Sequence, residues 1–442
     1  MKKRFIPENK SLSKKLKYGL GQTGFRLLTQ LIIIINLGKD LSIGETITWG
    51  GLSTLTALVM MLEFGFNSTL SRNYNYVLNG SQRLFRNTFD KPGNTLNLEL
   101  LSNLRISVKY YYIFITIIFL VIAIVFFTYF LPFKNLQNEE RIACIIHIGY
   151  LVMLISSFNE ETIVIGMDKI DEHKKNQLIG SSIGITSFLL LLSFDQLLIA
   201  FSTNLLISTL AVKILNRKFI SNKLNKDVNG SFDIDILKTL LPNTFKIGLT
   251  GLMGFTLSKM YYFVGSRKLM EVDFSMLILT FSVYGMIESF ASLYGQLLYA
   301  KMIKDNSQNR MIDLKNNILA AHITQVVIFI ISTLVLHVTI PLLISFRDEL
   351  RLLSLELLIL ISVYRYVENN IGLNGMILTI ENRVPFFKPA IYSGILSLIL
   401  YIGFYRINQI NTLTIILIPL ITQLIFQFFR WNNKVFYKYI KV

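Results

Sequence analysis

Between Leu16 and Arg430 the chain repeats one pattern: a block of about 20 apolar residues, a short polar stretch that is often basic, then another block. A block of that length crosses ~30 Å of hydrocarbon as a helix rising ~1.5 Å per residue, with every backbone N–H and C=O satisfied inside the segment. Hydrophobic residues make up 52% of the 442 and charged residues only 16%, so little polar surface is left to clothe a water-soluble core. The pattern predicts an all-α polytopic membrane protein.

Several chemistries fall away at once. The single cysteine, Cys144, allows no intramolecular disulfide and no cysteine metal cluster. The four histidines, His147, His173, His322 and His337, have no HxxxH or HxH spacing, so neither a metal site nor a cofactor is expected. No GxxxxGK[ST] phosphate loop is present, which argues against ATP hydrolysis. The basic start, MKKRFIPENKSLSKKLK, leads into an apolar segment without a small-residue cleavage site, so it reads as a retained first span.

Membrane helices are expected near 16–37, 46–66, 110–131, 142–165, 177–194 and 196–215, then near 245–264, 274–299, 318–345, 352–377, 387–405 and 411–430. The fifth and sixth meet directly at Phe194 and Asp195. Lysine and arginine collect on the cytoplasmic side of membranes, which tests the count. With the N-terminus inside, 33 of the 44 basic residues fall on inside segments and 8 on outside ones, counting those at helix ends with the adjoining side. The other three, Arg26, Lys259 and Arg365, fall within helices. A missed helix would invert every later loop, so twelve spans with both termini cytoplasmic are expected. The net charge of +17 is then a membrane-facing distribution, attracted to lipid headgroups rather than to nucleic acid.

The stretch NRKFISNKLNKDVNGSFDIDILKTLLPNTF, residues 216–245, divides six helices from six. Within it Ser231 can cap a short amphipathic helix with Asp233 and Asp235 in its first turn, ending at Pro242. The expected organisation is an N-terminal six-helix lobe over residues 1–220, a cytoplasmic linker over 221–244 and a C-terminal six-helix lobe over 245–442. LKYGLGQTGF, residues 16–25, and FKIGLTGLMGF, residues 245–255, share Lys, Gly-Leu and Gly-Phe in the first helix of each half. This favours two parallel repeats related by a pseudo-twofold axis along the membrane normal, with a cavity between lobes that can rock about it.

Two stretches carry a family resemblance: GLGQTGFRLLTQ, residues 19–30, in the first helix, and LEFGFNSTLSRNYNYVLNGSQ, residues 62–82, at the end of the second. Together they resemble the O-antigen and polysaccharide-repeat flippases of the multidrug/oligosaccharidyl-lipid/polysaccharide (MOP) exporter superfamily, in topology over the whole chain and in wording over about the first 90 residues. The resemblance implies a MATE-like fold in the bacterial inner membrane. It implies translocation of an undecaprenyl-diphosphate-linked oligosaccharide between leaflets by alternating access, driven by a proton or sodium gradient. A polysaccharide polymerase is the assembly partner it brings with it.

Such a cargo needs fixed cations and hydrogen-bonding groups deep in a low-dielectric medium. Arg26 lies about 15 Å into the first helix at ~1.5 Å per residue, and Lys259 is at mid-depth in the seventh. An unpaired cation there costs at least ~2.5–3.5 kcal/mol, so something polar must meet each one. Either they face a cavity as diphosphate ligands, with Gln22 and Gln30 lining it, or each pairs with a buried acid such as Glu288. Arg365 has Glu368 at i+3 on the same face. With Asn369, Asn370 and Asn374 following, YRYVENNIGLNG reads either as cavity lining or as a locked structural pair. Glu288 and Glu368 are candidate ion-coupling acids, with a hydrogen-bonded structural acid as the alternative for Glu288. Glu63, Glu160 and Glu161 near cytoplasmic helix ends fit gating pairs or plain interfacial solvation. In SRNYNY the second helix is expected to leave the membrane after Glu63, which leaves Arg72, Asn73 and Tyr74 at the cytoplasmic mouth as diphosphate ligands or an interfacial anchor, with Arg83 and Arg86 nearby.

Competing classes fit less well. Membrane polymerases and ligases of the same pathways need a sizeable outer loop, and here the longest is about ten residues. MATE-type drug exporters share the expected fold, but a cationic drug calls for an acid in the cavity, and the first helix offers Arg26, Gln22 and Gln30 and no acid.

Overall fold

The computed structural model describes residues 6–40, 43–63, 66–84, 96–224, 230–307, 310–346, 353–381 and 385–441, and among them all regular structure is helical. Arg86 and residues 225–229 lie outside the described residues. Each of the twelve expected spans overlaps a helix, although the ends differ: the second stops at Leu62 rather than at 66. Among the described residues, seven helices are by themselves long and apolar enough to cross a membrane. Close contacts divide the chain into two compact units, one of Met1–Ile33 with Leu55–Gly248 and one of Ile34–Thr54 with Leu249–Val442.

The first unit contains α1 (Ile6–Asp40) up to Ile33, α2 (Ile43–Leu62) from Leu55 on, α3 (Phe66–Leu78), α4 (Leu98–Tyr129), α5 (Asn138–Gly166), α6 (Ile170–Leu192) and α7 (Leu197–Lys223). On α4, Tyr112, Ile115, Phe119 and Ala123 are buried while Phe114, Ile117, Val121 and Ile124 are exposed. A helix apolar on both faces, with one turned outward, is what a lipid solvent selects. α6 and α7 pack at close range through Gly180 and Gly184, because a Cβ on Gly180 would stand 2.7 Å from the Ser208 carbonyl oxygen and one on Gly184 would overlap Ser208 and Asn204. The expected tight hairpin between them is present, with a four-residue turn, 193–196. α6 ends at Leu192, α7 begins at Leu197, and Asp195 takes a φ of 59° to turn the chain.

α3 corrects one expectation. After Glu63 the chain does not leave as an interfacial stretch but forms a new helix whose Phe66, Leu70, Tyr74 and Val77 are buried and which packs on α5. Phe66 stacks on Tyr111 with ring centroids 4.0 Å apart. Spacing of i, i+4, i+8 and i+11 gives an otherwise polar segment one apolar face, and that face pulls it into the bundle.

The second unit contains α8 (Ile234–Lys268) from Leu249 on, α9 (Glu271–Ser307), α10 (Met311–Phe346), α11 (Leu355–Leu378), α12 (Phe387–Arg406) and α13 (Thr412–Gln423). α13 runs on through π-helical turns (Leu424–Phe428, Phe436–Ile440) on either side of α14 (Phe429–Val435). The expected linker helix is not a separate element: α8 is continuous through Pro242. One lost hydrogen bond kinks rather than ends a helix that its neighbours hold. Asp233, rather than Ser231, meets its first turn, accepting from the Asp235 N–H at 2.8 Å, and the approach is clipped to α4 by Ser231 N–H donating to Asn103 at 2.7 Å. Buried tyrosine hydroxyls pin this unit by donating to main-chain carbonyls: Tyr364 to Leu257 at 2.9 Å, Tyr284 to Leu358 at 3.0 Å and Tyr262 to Ile47 at 3.1 Å. Such a polar tip on a large apolar body needs a partner where water is absent.

Candidate functional site

In the second unit, Arg365 of α11 is the centre of a buried charge cluster. Its Nη1 lies 2.7 Å from Glu368 Oε2, one turn along the same helix, and 3.5 Å from Glu288 Oε1 on α9. The guanidinium also sits 4.3 Å from the Phe281 ring centroid, so its face is covered by an aromatic as well. Three ionisable groups share this pocket, two carboxyls and one guanidinium. Lys259 on α8 is half-buried, 5.9 Å from the Tyr261 ring centroid, and within electrostatic range of Glu288. Glu368 borders a cavity of about 410 Å³ within this unit, together with Leu257, Ile371, Met376, Phe386 and Trp431.

The asparagines that follow Arg365 do something different. Asn370 Oδ1 accepts from Asn374 at 2.9 Å and from Asn432 of α14 at 2.8 Å. Asn369 turns toward α10, where its main-chain oxygen accepts from Gln325 at 2.9 Å, and its buried Nδ2 has no hydrogen-bond partner. Both are buried, and neither borders the cavity that Glu368 meets. The polar stripe is largely a tie between helices.

The first unit holds a second network. On α1, Gln22, Arg26 and Gln30 recur every four residues and so share a face, with Arg26 exposed and the two glutamines half-buried. Gln22 Oε1 is 3.5 Å from Lys174 Nζ of α6, which donates to Gln177 at 2.8 Å. Arg26 is within electrostatic range of both Lys174 and Tyr150. Behind Lys174, His173 Nε2 stands 3.3 Å from Glu161 Oε1 of α5, and its Nδ1 is 3.1 Å from Asn216 Nδ2 of α7. Asn216 Oδ1 in turn accepts from Asn176 at 2.9 Å. Asn67 of α3 hydrogen-bonds Glu161 with its side chain and Glu63 with its main-chain N–H.

No family model and no curated protein sequence matches this chain. Its structure is similar to that of the lipid II flippase MurJ in an inward closed conformation, with a TM-score of 0.60 and 14% identity over 95% of this chain and 87% of that one. It is similar to a MOP superfamily transporter from Pyrococcus furiosus, with a TM-score of 0.55 and 13% identity over 96% and 95% of the two chains. It is also similar to the MATE multidrug transporter DinF-BH, with a TM-score of 0.56 and 11% identity over 99% and 97%. The chain has the fold of the MOP-superfamily transporters.

Within this MOP-type fold the expected site residues part company. Glu288, Glu368 and Arg365 come together. Glu63 is buried at the end of α2 and accepts from the first turn of α3, so its charge serves that helix N-terminus. Arg72 is half-buried on α3, Asn73 is buried and donates to the Thr69 carbonyl at 2.8 Å, and Tyr74 is fully buried with its hydroxyl on Asn159 at 3.1 Å. An exposed anchor is therefore not what Asn73 and Tyr74 form. Glu160 and Glu161, adjacent in sequence, point into different networks, Glu161 to His173 and Glu160 toward Lys213. His147 and His337 sit in structural hydrogen bonds, 2.9 Å from Thr56 and 3.0 Å from Tyr284.

Sequence reading missed His173 and Lys174, because it started the fifth span at 177 and left DEHKKN as loop. α6 begins at Ile170 instead, and His173, Asn176, Gly180 and Gly184 form its buried face. A polar helix turn whose i, i+3, i+7 positions continue into small residues was the available signal.

Proposed function

We propose that this chain is a flippase that moves undecaprenyl-diphosphate-linked oligosaccharide repeat units, of O-antigen or a related surface polysaccharide, across the bacterial inner membrane. The observation that carries the reading is the charge on the first helix of each half. Arg26 stands exposed on α1 between Gln22 and Gln30, and Lys259 is half-buried on α8, at depths where a cation costs energy unless an anion visits it. In this reading Arg26 and Lys259 receive the diphosphate in turn, the glutamines hold the hydrated glycan, and Arg72 guides the headgroup in. Arg365 holds Glu288 and Glu368 ready for a proton or sodium ion, whose gradient drives alternating access. The termini are cytoplasmic, and a polymerase acts on the delivered product.

Deleting the gene in its host and identifying the lipid-linked glycan left on the inner leaflet tests this directly. Accumulation of an undecaprenyl-diphosphate oligosaccharide, relieved by the wild-type gene and not by Arg26→Ala at equal protein level, supports the proposal. No accumulation, with altered drug susceptibility, rejects it in favour of a MATE-type cation-coupled exporter. One observation favours that second reading: Glu368 meets a cavity of about 410 Å³ otherwise bordered mainly by apolar side chains, a chemistry suited to an amphipathic organic cation.

A further inference from the structure

The first unit contains a cavity of about 620 Å³ between α4, α5 and α7 that none of the roles above uses. Among the described residues four cations line it, Arg105 and Lys109 from α4 and Lys213 and Arg217 from α7, against a single acid, Glu160. The formal balance is three positive charges in a space of ordinary ligand-site size. Lys213 is held in place by donating to Ser156 Oγ at 2.6 Å, and Glu160 lies within electrostatic range of Lys213, Arg217 and Arg105. Tyr112 also lines the cavity, and its buried hydroxyl has no hydrogen-bond partner. Concentrated positive charge with one acid among the described lining residues to offset it suits an oxyanion.

Position within the helices narrows the ligand. α4 starts on the side of the bundle at which α5 and α7 end, so Arg105, Lys109, Glu160, Lys213 and Arg217 all belong to one end of the unit. Further along, the same cavity is bordered by Ile113 and Thr116, and Ile113 is exposed on the outward face of α4. The cavity thus grades from cations at a membrane-surface level to a lipid-facing apolar wall, which matches a molecule with a phosphate head and a hydrocarbon tail. A free phosphate would use only its charged end.

We propose that the α4–α5–α7 cavity is a binding site for the phosphate headgroup of a membrane lipid, separate from the Arg26 and Lys259 positions. Bulk anionic phospholipid and a polyprenyl diphosphate carrier present the same chemistry here, a phosphate ester on a tail. The site stands whatever the protein transports.

Native mass spectrometry of the full-length protein, released from detergent into lipid of defined composition, separates the outcomes. The probes are dioleoylphosphatidylglycerol, zwitterionic dioleoylphosphatidylcholine and undecaprenyl diphosphate. Wild-type protein should retain the anionic lipids at least tenfold more tightly than phosphatidylcholine, and Arg105→Gln combined with Lys213→Gln should abolish that preference. Glu160→Gln, which removes the acid that faces these cations, should instead tighten anionic-lipid binding severalfold, a gain that misfolding cannot mimic. Equal retention of both anionic lipids identifies bulk phospholipid as the occupant, and a tenfold preference for undecaprenyl diphosphate identifies the carrier. Retention that is unchanged by either the cation variants or Glu160→Gln overturns the proposal.

Discussion

Replacing Arg365 with methionine keeps most of the side-chain volume but takes the guanidinium away from Glu288 and Glu368. At separations of 3.5 Å and 2.7 Å the two attractions are worth about 5 and about 6 kcal/mol for an effective dielectric of 20, and desolvation of the three groups offsets most of that. Removing only the cation leaves the desolvation cost without the attraction, which makes the loss about 3–5 kcal/mol. Lys259, within electrostatic range of Glu288, holds it toward the lower figure. For a domain of this size each kcal/mol moves the midpoint by about 2–4 °C, so thermal unfolding in detergent should shift down by roughly 6–20 °C. The triple variant Arg365→Met, Glu288→Gln, Glu368→Gln has no charge left to strand and should recover most of the shift, because a buried ion cluster and an uncharged one of equal volume differ little in stability. An Arg365→Met protein that melts within 2 °C of wild type, or a triple variant that melts lower than the single one, would refute the account of a mutually dependent buried cluster.

Three other outcomes are expected. Gly166→Ala should destabilise the first unit by about 1–3 kcal/mol, since the new methyl would sit 2.6 Å from Tyr74 Cβ and 3.0 Å from the Ser71 carbonyl, and a lower melting midpoint at normal expression checks it. Glu63→Gln keeps an acceptor for the Asn67 N–H while Glu63→Ala does not, so the alanine variant should be about 1 kcal/mol less stable than the glutamine one, readable by limited proteolysis after α2. On the proposed flippase function, Arg26→Ala and Lys259→Ala should each reduce glycan export in a deletion host by at least about tenfold without lowering protein level, and Arg26→Lys should retain more export than Arg26→Ala, since a charge is kept.

Much of the architecture was legible along the chain because a bilayer imposes a one-dimensional rule: a segment that crosses it must be apolar, long enough and internally hydrogen-bonded. Apolar blocks placed a helix at each of the twelve expected positions, down to the turn around Phe194 and Asp195, and i+3 spacing on one helix announced the Arg365–Glu368 pair. The period of a helix says which residues share a face but not which helix that face meets. The partner of Arg365 across the bundle, Glu288, lies 77 positions earlier, and only lateral packing of α9 on α11 brings them together. Packing likewise turned the segment after Glu63 inward as α3, sent Glu160 and Glu161 into different networks, and gathered Arg105, Lys109, Lys213 and Arg217 around one cavity. Those four basic residues read in sequence as ordinary inner-side charge at separate helix ends. Lateral neighbours in a bundle are chosen by side-chain shape and polar pairing between distant segments, and no local periodicity records that choice.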